Sequence, residues 1–285
     1  MRKNIETFIA CDAEYADSDI VLFGAPFDST TSYRPGARFG SAAIRHESYG
    51  IETFSPYLDK DLEDCCIFDS GDLELPMGSS DLALEDIYNQ TSRILSDNKL
   101  PLMLGGEHLV TLGAFRAVQE KYPNVHIIHF DAHADLRDDY LGVKLSHACV
   151  IRRCHDIIGD GRIHQFGIRS GDRSEWVFAR NGHTHFHPFS LDEVKDTVIG
   201  FDHSVPVYFT IDLDVLDPSE FPGTGTPEAG GVSFHELREA VFSVCQNLNV
   251  VGCDVCELAP NLDNTGVSTA LACKILRELL LALNK

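Results

Sequence analysis

The sequence predicts an α/β fold in which a mostly parallel central sheet lies between two layers of helices, a three-layer α/β/α architecture. Short apolar runs alternate along the chain with longer amphipathic runs, which is the order of strands and helices expected of such a fold. Several short runs, among them PLMLGG, VHIIHF and PVYFTI, are apolar without alternation. That pattern is typical of parallel strands that helices cover on both faces.

Seven strands and seven helices are predicted from these runs. The strands are expected at Ile20–Phe23, Cys65–Asp69, Leu100–Leu104, Val125–Phe130, Ile163–Gly167, Val205–Ile211 and Val250–Cys256. The helices are expected at Leu82–Ser96, Leu109–Lys121, His147–Cys154, Glu175–Asn181, Leu191–Asp196, Phe234–Gln246 and Gly266–Leu283. No repeat, linker or low-complexity segment interrupts the pattern, so a single domain is predicted over residues 1–285.

The charge of the chain narrows the class of partner. Asp and Glu number 44 against 23 Lys and Arg, for a formal net charge of −21. A nucleic-acid-binding protein normally carries a basic surface, so that class is disfavoured. An acidic protein steers cationic small molecules toward itself, although solubility is an equally good explanation of the charge.

The cysteines and the amino-terminal segment bear on location. Nine cysteines are scattered along the chain, and the one CxxC, Cys253 to Cys256, lies in an apolar run without a second pair at zinc-site spacing. Reduced, buried thiols are therefore expected, as in the cytoplasm. The segment MRKNIETFIACDAEY lacks the apolar core of a signal peptide, and no run approaches the roughly 18–20 apolar residues of a membrane span. A cytoplasmic protein without a membrane partner is predicted.

Acidic and imidazole side chains follow four of the predicted strands. They stand in Gly105–His108, in Asp131–Asp135, in Asp212–Asp214 and at Glu257. The carboxyl ends of parallel strands meet at one edge of the sheet, where ligands collect. Because alternate residues of an extended segment share a face, Asp131, His133 and Asp135 can converge on one point.

These side chains together predict a metal centre. A buried carboxylate without a partner is costly, so several of them require a cation. Four carboxylates and two imidazoles exceed the needs of one ion, whereas two divalent ions would balance the charge of the carboxylates. Oxygen-rich ligation favours manganese over zinc. The predicted metal ligands are His108, Asp131, His133, Asp135, Asp212 and Asp214.

The longer motifs resemble the ureohydrolase family of arginases and agmatinases. The resemblance is carried, in the family's order and spacing, by TTSYRPGARFGSAAIR, GGEH, HFDAHADLRDDYLGVKLSH, FTIDLDVLDPSEFPGTGTPEAGG and CDVCELAP. It extends from about Ile20 to the end of the chain. The resemblance implies the arginase/deacetylase-like fold and a pair of Mn²⁺ ions in each chain. It also implies a homo-oligomer, a trimer or a hexamer.

The resemblance implies a division of the ligands between the two ions. One ion would be served by His108, Asp131 and Asp135, and the pair would be completed by Asp131, His133, Asp212 and Asp214. Which carboxylate bridges the ions is left open. The family commonly shows GGDH where this chain has GGEH. Glu107 is therefore interpreted as a residue that supports the ligands and is not one of them.

The resemblance also implies the chemistry, which is hydrolysis of a guanidinium group to urea and an amine. Asp135 would orient the attacking hydroxide and Glu257 would hold the guanidinium through paired hydrogen bonds. His147, in a position also suited to substrate binding, would help to deliver a proton to the leaving amine. In the structural alternatives, Glu257 pairs with an arginine, and His147 begins a helix that Ser146 caps.

The segment after Asp135 bears on the substrate. Arginases typically place Asn, Thr and Ser there, whereas this chain has LRDDYLG, with carboxylates and an aromatic ring. Agmatine, which ends in an ammonium group and lacks the carboxylate of arginine, fits that segment better. The predicted reaction is therefore the conversion of agmatine to putrescine and urea. Aminopropylagmatine, guanidinobutyrate and arginine remain alternative guanidines.

Two other classes of protein compete with this prediction. One is a single-zinc deacylase, which would share the sheet but lack the full ligand set. The other is a non-catalytic binding protein that keeps the metals for stability. Five further histidines are interpreted as structural: His126 and His129 as packed or surface residues, and His183, His185 and His187 as an ordinary edge strand.

Overall fold

A computed structural model describes residues 6–284 and contains one eight-stranded sheet and one short hairpin. The strands are β1 Ile20–Gly24, β2 Phe54–Ser55, β3 Lys60–Asp61, β4 Ile67–Asp72, β5 Leu100–Leu104, β6 His126–Phe130, β7 Ile163–Phe166, β8 His185–His187, β9 Pro206–Asp212 and β10 Asn249–Cys256. The large sheet has the order β4-β1-β5-β10-β9-β6-β7-β8, and β2 pairs with β3 alone. Every neighbouring pair in the large sheet is parallel, which confirms the predicted sheet.

Eight α-helices flank the sheet. They are α1 Gly40–Glu47, α2 Ser80–Ser96, α3 Thr111–Lys121, α4 Val150–Ile158, α5 Arg173–Phe178, α6 Val194–Ile199, α7 Phe234–Asn247 and α8 Val267–Leu283. Short 3-10 turns occupy Ala37–Phe39, Ser48–Gly50, Leu62–Asp64, His108–Val110, His147–Cys149, Leu213–Val215 and Pro260–Leu262, and Ala179–His183 forms a π-helical turn. Of the described helices, none is both long enough and apolar enough to cross a membrane.

Two apolar cores lie on opposite faces of the sheet, as the three-layer prediction requires. Successive residues of one strand alternate between them: Leu22 belongs to one core, and Val21 and Phe23 belong to the other. The first core contains buried side chains of α1, α6, α7 and α8, and the second contains those of α2, α3 and α4. Strands β1 and β9 are buried along their whole length, and β5 and β6 are buried after their first residue, which explains why these sequences are apolar without alternation.

The predicted elements differ from the structure mainly at the termini and at α1. Helix α1 was not predicted, because it is short and begins with Gly40 and Ser41, which are weak helix formers. The helix predicted to begin at His147 opens with a 3-10 turn and continues as α4 to Ile158. The edge strand predicted for the three histidines is present as β8 at one edge of the large sheet and contains His185 and His187, whereas His183 lies in the π-helical turn before it.

Candidate metal centre

The four polar segments follow four adjacent strands in the middle of the sheet. Strands β5, β10, β9 and β6 are consecutive neighbours. His108 follows β5 after a short turn, Glu257 follows β10, Asp212 is the last residue of β9 and Asp131 follows β6. The parallel sheet therefore brings these side chains to one edge, as the sequence predicted.

One half of the cluster is organised around His108. Its Nδ1 atom lies 3.0 Å from Oδ2 of Asp135, 3.1 Å from Oδ2 of Asp131 and 3.6 Å from Oδ2 of Asp212. All four side chains are buried. One imidazole nitrogen and three carboxylate oxygens thus face a common point.

The other half of the cluster is organised around His133. Its Nδ1 atom lies 2.9 Å from Oδ2 of Asp214 and 3.7 Å from Oδ1 of Asp131. Each of these three residues offers a ligand atom within 4.8 Å of the other two. Since Asp131 turns one oxygen to His108 and the other to His133, it connects the two halves.

Two residues of the site have left-handed backbone conformations that residues other than glycine rarely adopt. The φ angle is 52° at Asp135 and 68° at Glu257. Such conformations typically cost about 1–3 kcal/mol and persist where the surrounding structure enforces them. Asp135 lies in the cluster as predicted, but extended alternation does not account for it, because a backbone turn directs its side chain toward His108.

The cluster has an excess of negative charge away from water. Burial, with repulsion by Asp214 and Asp131, raises the pKa of Asp212 well above its usual value. Burial and the charge of Asp131 raise the pKa of Asp135 to about 7. Within residues 6–284, no lysine or arginine forms an ion pair with the carboxylates of the cluster. Divalent cations would supply the missing positive charge.

The hydrogen bonds of His108 fit metal ligation. Its Nε2 atom lies 2.8 Å from Oγ1 of Thr210, and that hydroxyl donates to Oδ1 of Asp254 at 2.7 Å. Because the hydroxyl proton is committed to Asp254, the hydroxyl accepts the Nε2 proton of His108. Nδ1 then faces the carboxylates and, once a metal ion replaces its proton, would offer its lone pair to that ion, as in metal-bound histidines whose second nitrogen is held by a partner.

His129 is a member of the cluster that sequence reasoning missed. It was predicted to be packed, and it is fully buried. Its Nε2 atom also lies 2.8 Å from Oδ2 of Asp131, and Gln165 holds its Nδ1 atom at 3.1 Å. Although burial opposes it, hydrogen bonds from His108 and His129 hold the pKa of Asp131 well below its usual value. The spacing His129-Phe130-Asp131 is the signal, since alternate residues share one face.

Glu257 is held against the cluster by a backbone contact. Its Oε1 atom accepts a hydrogen bond from the N–H of His108 at 2.8 Å, and its side chain is buried. Burial, with the charges of Asp214 and Glu107, raises its pKa well above the usual value. In the described part of the chain, no arginine forms an ion pair with Glu257, so the structural alternative for this residue is not supported.

A cavity of about 270 Å³ opens above this cluster. Its walls are Ser32, His133, Ala134, Asp135, Arg137, Tyr140, His147, Ala148, Ser170, Gly171, Asp172, Glu175 and Thr226. Nε2 of His147 lies 3.1 Å from the hydroxyl of Ser32. Burial and the charges of His133 and His108 lower the pKa of His147 to about 4, so the imidazole is neutral near pH 7. The side chain of Ser146 makes no capping hydrogen bond, contrary to the sequence-based alternative.

Glu107 supports the wall that carries His147. It is fully buried and accepts hydrogen bonds from N–H of Thr30 at 2.9 Å, from Oγ1 of Thr30 at 2.6 Å and from Oγ1 of Thr31 at 3.1 Å. The Thr30 hydroxyl in turn accepts the N–H of His147 at 3.0 Å. Burial raises the pKa of Glu107 to about 7 even though these hydrogen bonds oppose the shift.

The segment after Asp135 contributes different residues from those the sequence emphasised. Asp138 forms a 3.0 Å ion pair with Arg153, and Asp139 accepts the N–H of Gly142 at 2.8 Å. Neither carboxylate lines the cavity, whereas Arg137 and Tyr140 do. Tyr140 therefore faces the cavity as the sequence predicted, whereas Asp138 and Asp139 do not.

Known proteins of similar sequence and structure share one family. The Arginase family model matches residues 18–282. Agmatinase of Bacillus subtilis is 44% identical over 281 residues, covering 98% of this chain and 97% of that protein. N(1)-aminopropylagmatine ureohydrolase of Thermococcus kodakarensis is 38% identical and covers 90% and 88%. A solved structure from Clostridium difficile has a TM-score of 0.92 at 52% identity, covering 95% of this chain and 99% of that chain. The chain therefore belongs to the arginase family and is a hydrolase of the ureohydrolase class.

Proposed function

We propose that this protein hydrolyses the guanidinium group of agmatine to putrescine and urea with two bound manganese ions. The observation that carries the proposal is the pair of His/Asp groups that share Asp131 beneath an acidic cavity. The agmatinase of Bacillus subtilis, 44% identical over nearly the whole of both chains, supports the choice of substrate. Family membership favours this proposal over the single-zinc deacylase.

We propose that the ligands form two groups, one around His108 and one around His133, as the distances between them indicate. His108 and Asp135 would hold one ion and His133 and Asp214 the other, with Asp131 facing both. Asp212 would join them, since its Oδ2 atom lies 3.6 Å from His108 and its Oδ1 atom accepts the N–H of Asp214 at 2.8 Å. An oxygen-rich set of this kind suits Mn²⁺ better than Zn²⁺.

The chain's own residues would then bind the substrate and handle protons. The two ions, when bound, would lower the pKa of a water molecule and so supply a hydroxide nucleophile at neutral pH. Asp135 would accept a hydrogen bond from that nucleophile and orient it. Glu257 would hold the planar guanidinium by charge-assisted hydrogen bonds. His147, which lines the cavity, would help to deliver a proton to the departing amine.

The cavity suits a cationic molecule. Asp135, Asp172 and Glu175 supply carboxylates to its walls, and Tyr140 supplies an aromatic ring. Arg137 is already paired with Asp172 at 3.1 Å and with Glu175 at 3.4 Å. Its positive charge is therefore largely offset, which favours the ammonium end of agmatine over the carboxylate of arginine or guanidinobutyrate.

A urea-release assay with added Mn²⁺ tests the substrate. Agmatine, aminopropylagmatine, guanidinobutyrate and arginine are compared by kcat/KM at the same protein concentration. We expect agmatine to give the highest value and arginine the lowest. A higher value for arginine would contradict the proposed substrate, and urea from none of the four would support the non-catalytic alternative.

A metal count and one variant test the centre itself. Dialysed protein should contain close to two manganese ions per chain, whereas one zinc ion would favour the deacylase. Glu257→Gln should retain the manganese and lose about 100-fold or more in kcat/KM, because it removes a charge-assisted contact to the guanidinium. Full activity in this variant would contradict the role given to Glu257.

We also propose a cytoplasmic location and a homo-oligomeric state, both expected from the sequence. Seven of the nine cysteines are buried, and the described chain contains no disulfide, which suits a reducing compartment. Sedimentation velocity distinguishes a monomer from the trimer or hexamer expected of the family. A monomer at micromolar concentration would contradict the proposed assembly.

A further inference from the structure

Outside the cavity, two histidines and an aspartate converge near the edge strand β8. His155 lies in the last turn of α4, Asp160 in the turn that follows, and His183 at the end of the π-helical turn before β8. Oδ1 of Asp160 lies 2.7 Å from Nε2 of His155 and 2.8 Å from Nδ1 of His183. The three candidate ligand atoms all lie within 4.8 Å of one another. None of these residues belongs to the centre described above.

Glycines with left-handed backbones allow the end of α4, the turn at Asp160 and the turn before β8 to meet. Gly159, with φ of 76°, and Gly161, with φ of 75°, flank Asp160. The chain therefore reverses sharply and brings the carboxylate of Asp160 back to α4. Gly182, with φ of 91°, allows a similar reversal of the chain immediately before His183. Residues other than glycine are disfavoured at such angles.

The ring of Phe178 packs against both imidazoles. It meets the ring of His155 edge-on at a centroid distance of 4.9 Å and stacks on the ring of His183 at 4.2 Å. The side chain of His155 is only 14% exposed. Because packing already limits the orientations of the two rings, an ion bound between them would order few additional groups.

We propose that His155, Asp160 and His183 form a second metal site, specific for a divalent transition-metal ion of the zinc type. Two imidazole nitrogens and one carboxylate oxygen suit such an ion, with bonds of about 2.0–2.2 Å. The side chains of Asp160 and His183 are 62% and 37% exposed, so rotamer changes can open the triad by the roughly 0.6 Å that tetrahedral coordination requires, and water can complete the coordination.

The two sites differ in the metals that they prefer. The site at His155 is nitrogen-rich and accepts Zn²⁺ or Cu²⁺, whereas the oxygen-rich centre in the cavity suits Mn²⁺. His147 and His155 stand at opposite ends of one helical segment, roughly 12 Å apart.

Nδ1 of His155 is buried without a hydrogen-bond partner. Because metal-bound imidazoles are usually held through that second nitrogen, we expect exchangeable binding, with a Kd on the order of micromolar.

Zinc counting on the full-length protein tests the site. The protein is saturated with Mn²⁺ and dialysed to equilibrium against micromolar ZnCl₂ with Mn²⁺ present, and bound zinc is measured by mass spectrometry. Asp160→Asn and His183→Gln are compared with wild type. His187→Gln is the matched control, because His187 is a neighbouring histidine that bonds to Glu193 and not to Asp160. Melting curves confirm that each variant is folded.

We expect wild type and His187→Gln to bind one more zinc ion per chain than either of the other two variants. Zinc that enters the cavity centre adds equally to all four proteins and cancels in the difference. Equal zinc in all four proteins, or loss of the ion in His187→Gln, would overturn the proposal. Cu²⁺ gives a second readout: its electron paramagnetic resonance spectrum should show coupling to two nitrogens in wild type and to one in His183→Gln. An unchanged spectrum would overturn the assignment of His183.

Discussion

Oγ1 of Thr210 lies 2.8 Å from Nε2 of His108, and the proton of that hydroxyl is directed to Asp254. The threonine is therefore the partner that fixes the Nε2 proton of His108 and would leave Nδ1 to bind a metal ion on the side of the carboxylates. Asp254 is in turn held by the hydroxyl of Tyr208 at 2.5 Å. This chain of hydrogen bonds runs between β9 and β10, two adjacent central strands.

Replacing Thr210 by Val should weaken the binding of Mn²⁺. The variant keeps the shape of the side chain but removes the acceptor for the Nε2 proton, and loss of such a partner typically costs about 10–100-fold in metal affinity. Isothermal titration of the metal-free protein measures the effect. Thr91→Val is the matched control, because Thr91 is fully buried and its hydroxyl donates to the carbonyl oxygen of Ile87 in the same helix, away from the metal centre. Equal Mn²⁺ affinity in the two variants would contradict the role of Thr210.

Thr30 should position His147 without contacting the substrate. Its hydroxyl donates to Glu107 and accepts the N–H of His147, so it connects the turn after β5 with the cavity wall. Thr30→Val should lower kcat by about tenfold with little change in KM, since small displacements of a proton-transfer group are costly. Thr30→Ser keeps the hydroxyl and should restore kcat. A rise in KM at constant kcat would assign Thr30 to substrate binding instead.

Gly106 should not tolerate a side chain. A Cβ atom there would lie 2.0 Å from the carbonyl oxygen of Phe27, which accepts the N–H of Glu107 at 2.7 Å. Gly106→Ala must therefore displace the segment that carries Glu107, with a loss of about 1–3 kcal/mol or more in the free energy of unfolding. Gly50→Ala is the control, because no atom lies within 4 Å of its added Cβ. Denaturant unfolding of both variants provides the measurement, and equal stabilities would contradict the prediction.

His164 should make the protein less stable in acid. Burial, with the positive charges of His185 and His126, lowers the pKa of His164 to about 3, against 6.5 for an unperturbed histidine. Below pH 6.5 His164 binds a proton in the unfolded chain but not in the folded chain. The free energy of unfolding therefore falls as the pH drops from 6.5 toward 3, by up to about 1.4 kcal/mol per pH unit.

His164→Phe should remove this contribution to the pH dependence. Urea unfolding at pH 7.0 and at pH 5.5 gives the slope for wild type and variant. The exposed His235, replaced by Phe, serves as the control for a change of composition alone. Parallel slopes for wild type and His164→Phe would contradict the prediction.

Removal of the metal should destabilise the fold. Without cations the carboxylates of Asp131, Asp212 and Asp214 remain together in a buried cluster. At a free Mn²⁺ concentration about 100 times its Kd, binding stabilises the folded state by about 2.7 kcal/mol. A chelator should therefore lower Tm by about 5–10 °C, and added Mn²⁺ should restore it. A melting temperature that does not respond to either reagent would contradict a metal centre in this cluster.

The strands and their polar ends could be predicted because their signals are local. A buried parallel strand is apolar at every position, and the residues that follow it are adjacent in the chain. Most of the predicted ligands converge for that reason, whereas Asp135 and Glu257 also depend on left-handed backbone turns that adjacent residues do not reveal. The contacts of Asp138 and Asp139 could not be predicted, since the direction of a side chain in a loop depends on partners such as Arg153.

The sequence by itself determined the three-layer architecture, the family and the cluster of carboxylates and imidazoles, because periodicity and motif spacing are properties of adjacent residues. Only the tertiary structure decided which oxygen of Asp131 faces which histidine, and which threonine holds His108. It also joined His155 and Asp160 to His183, a residue that sequence reasoning assigned to an ordinary edge strand. The physical reason is that hydrogen bonds act over about 3 Å in space, whatever the separation along the chain.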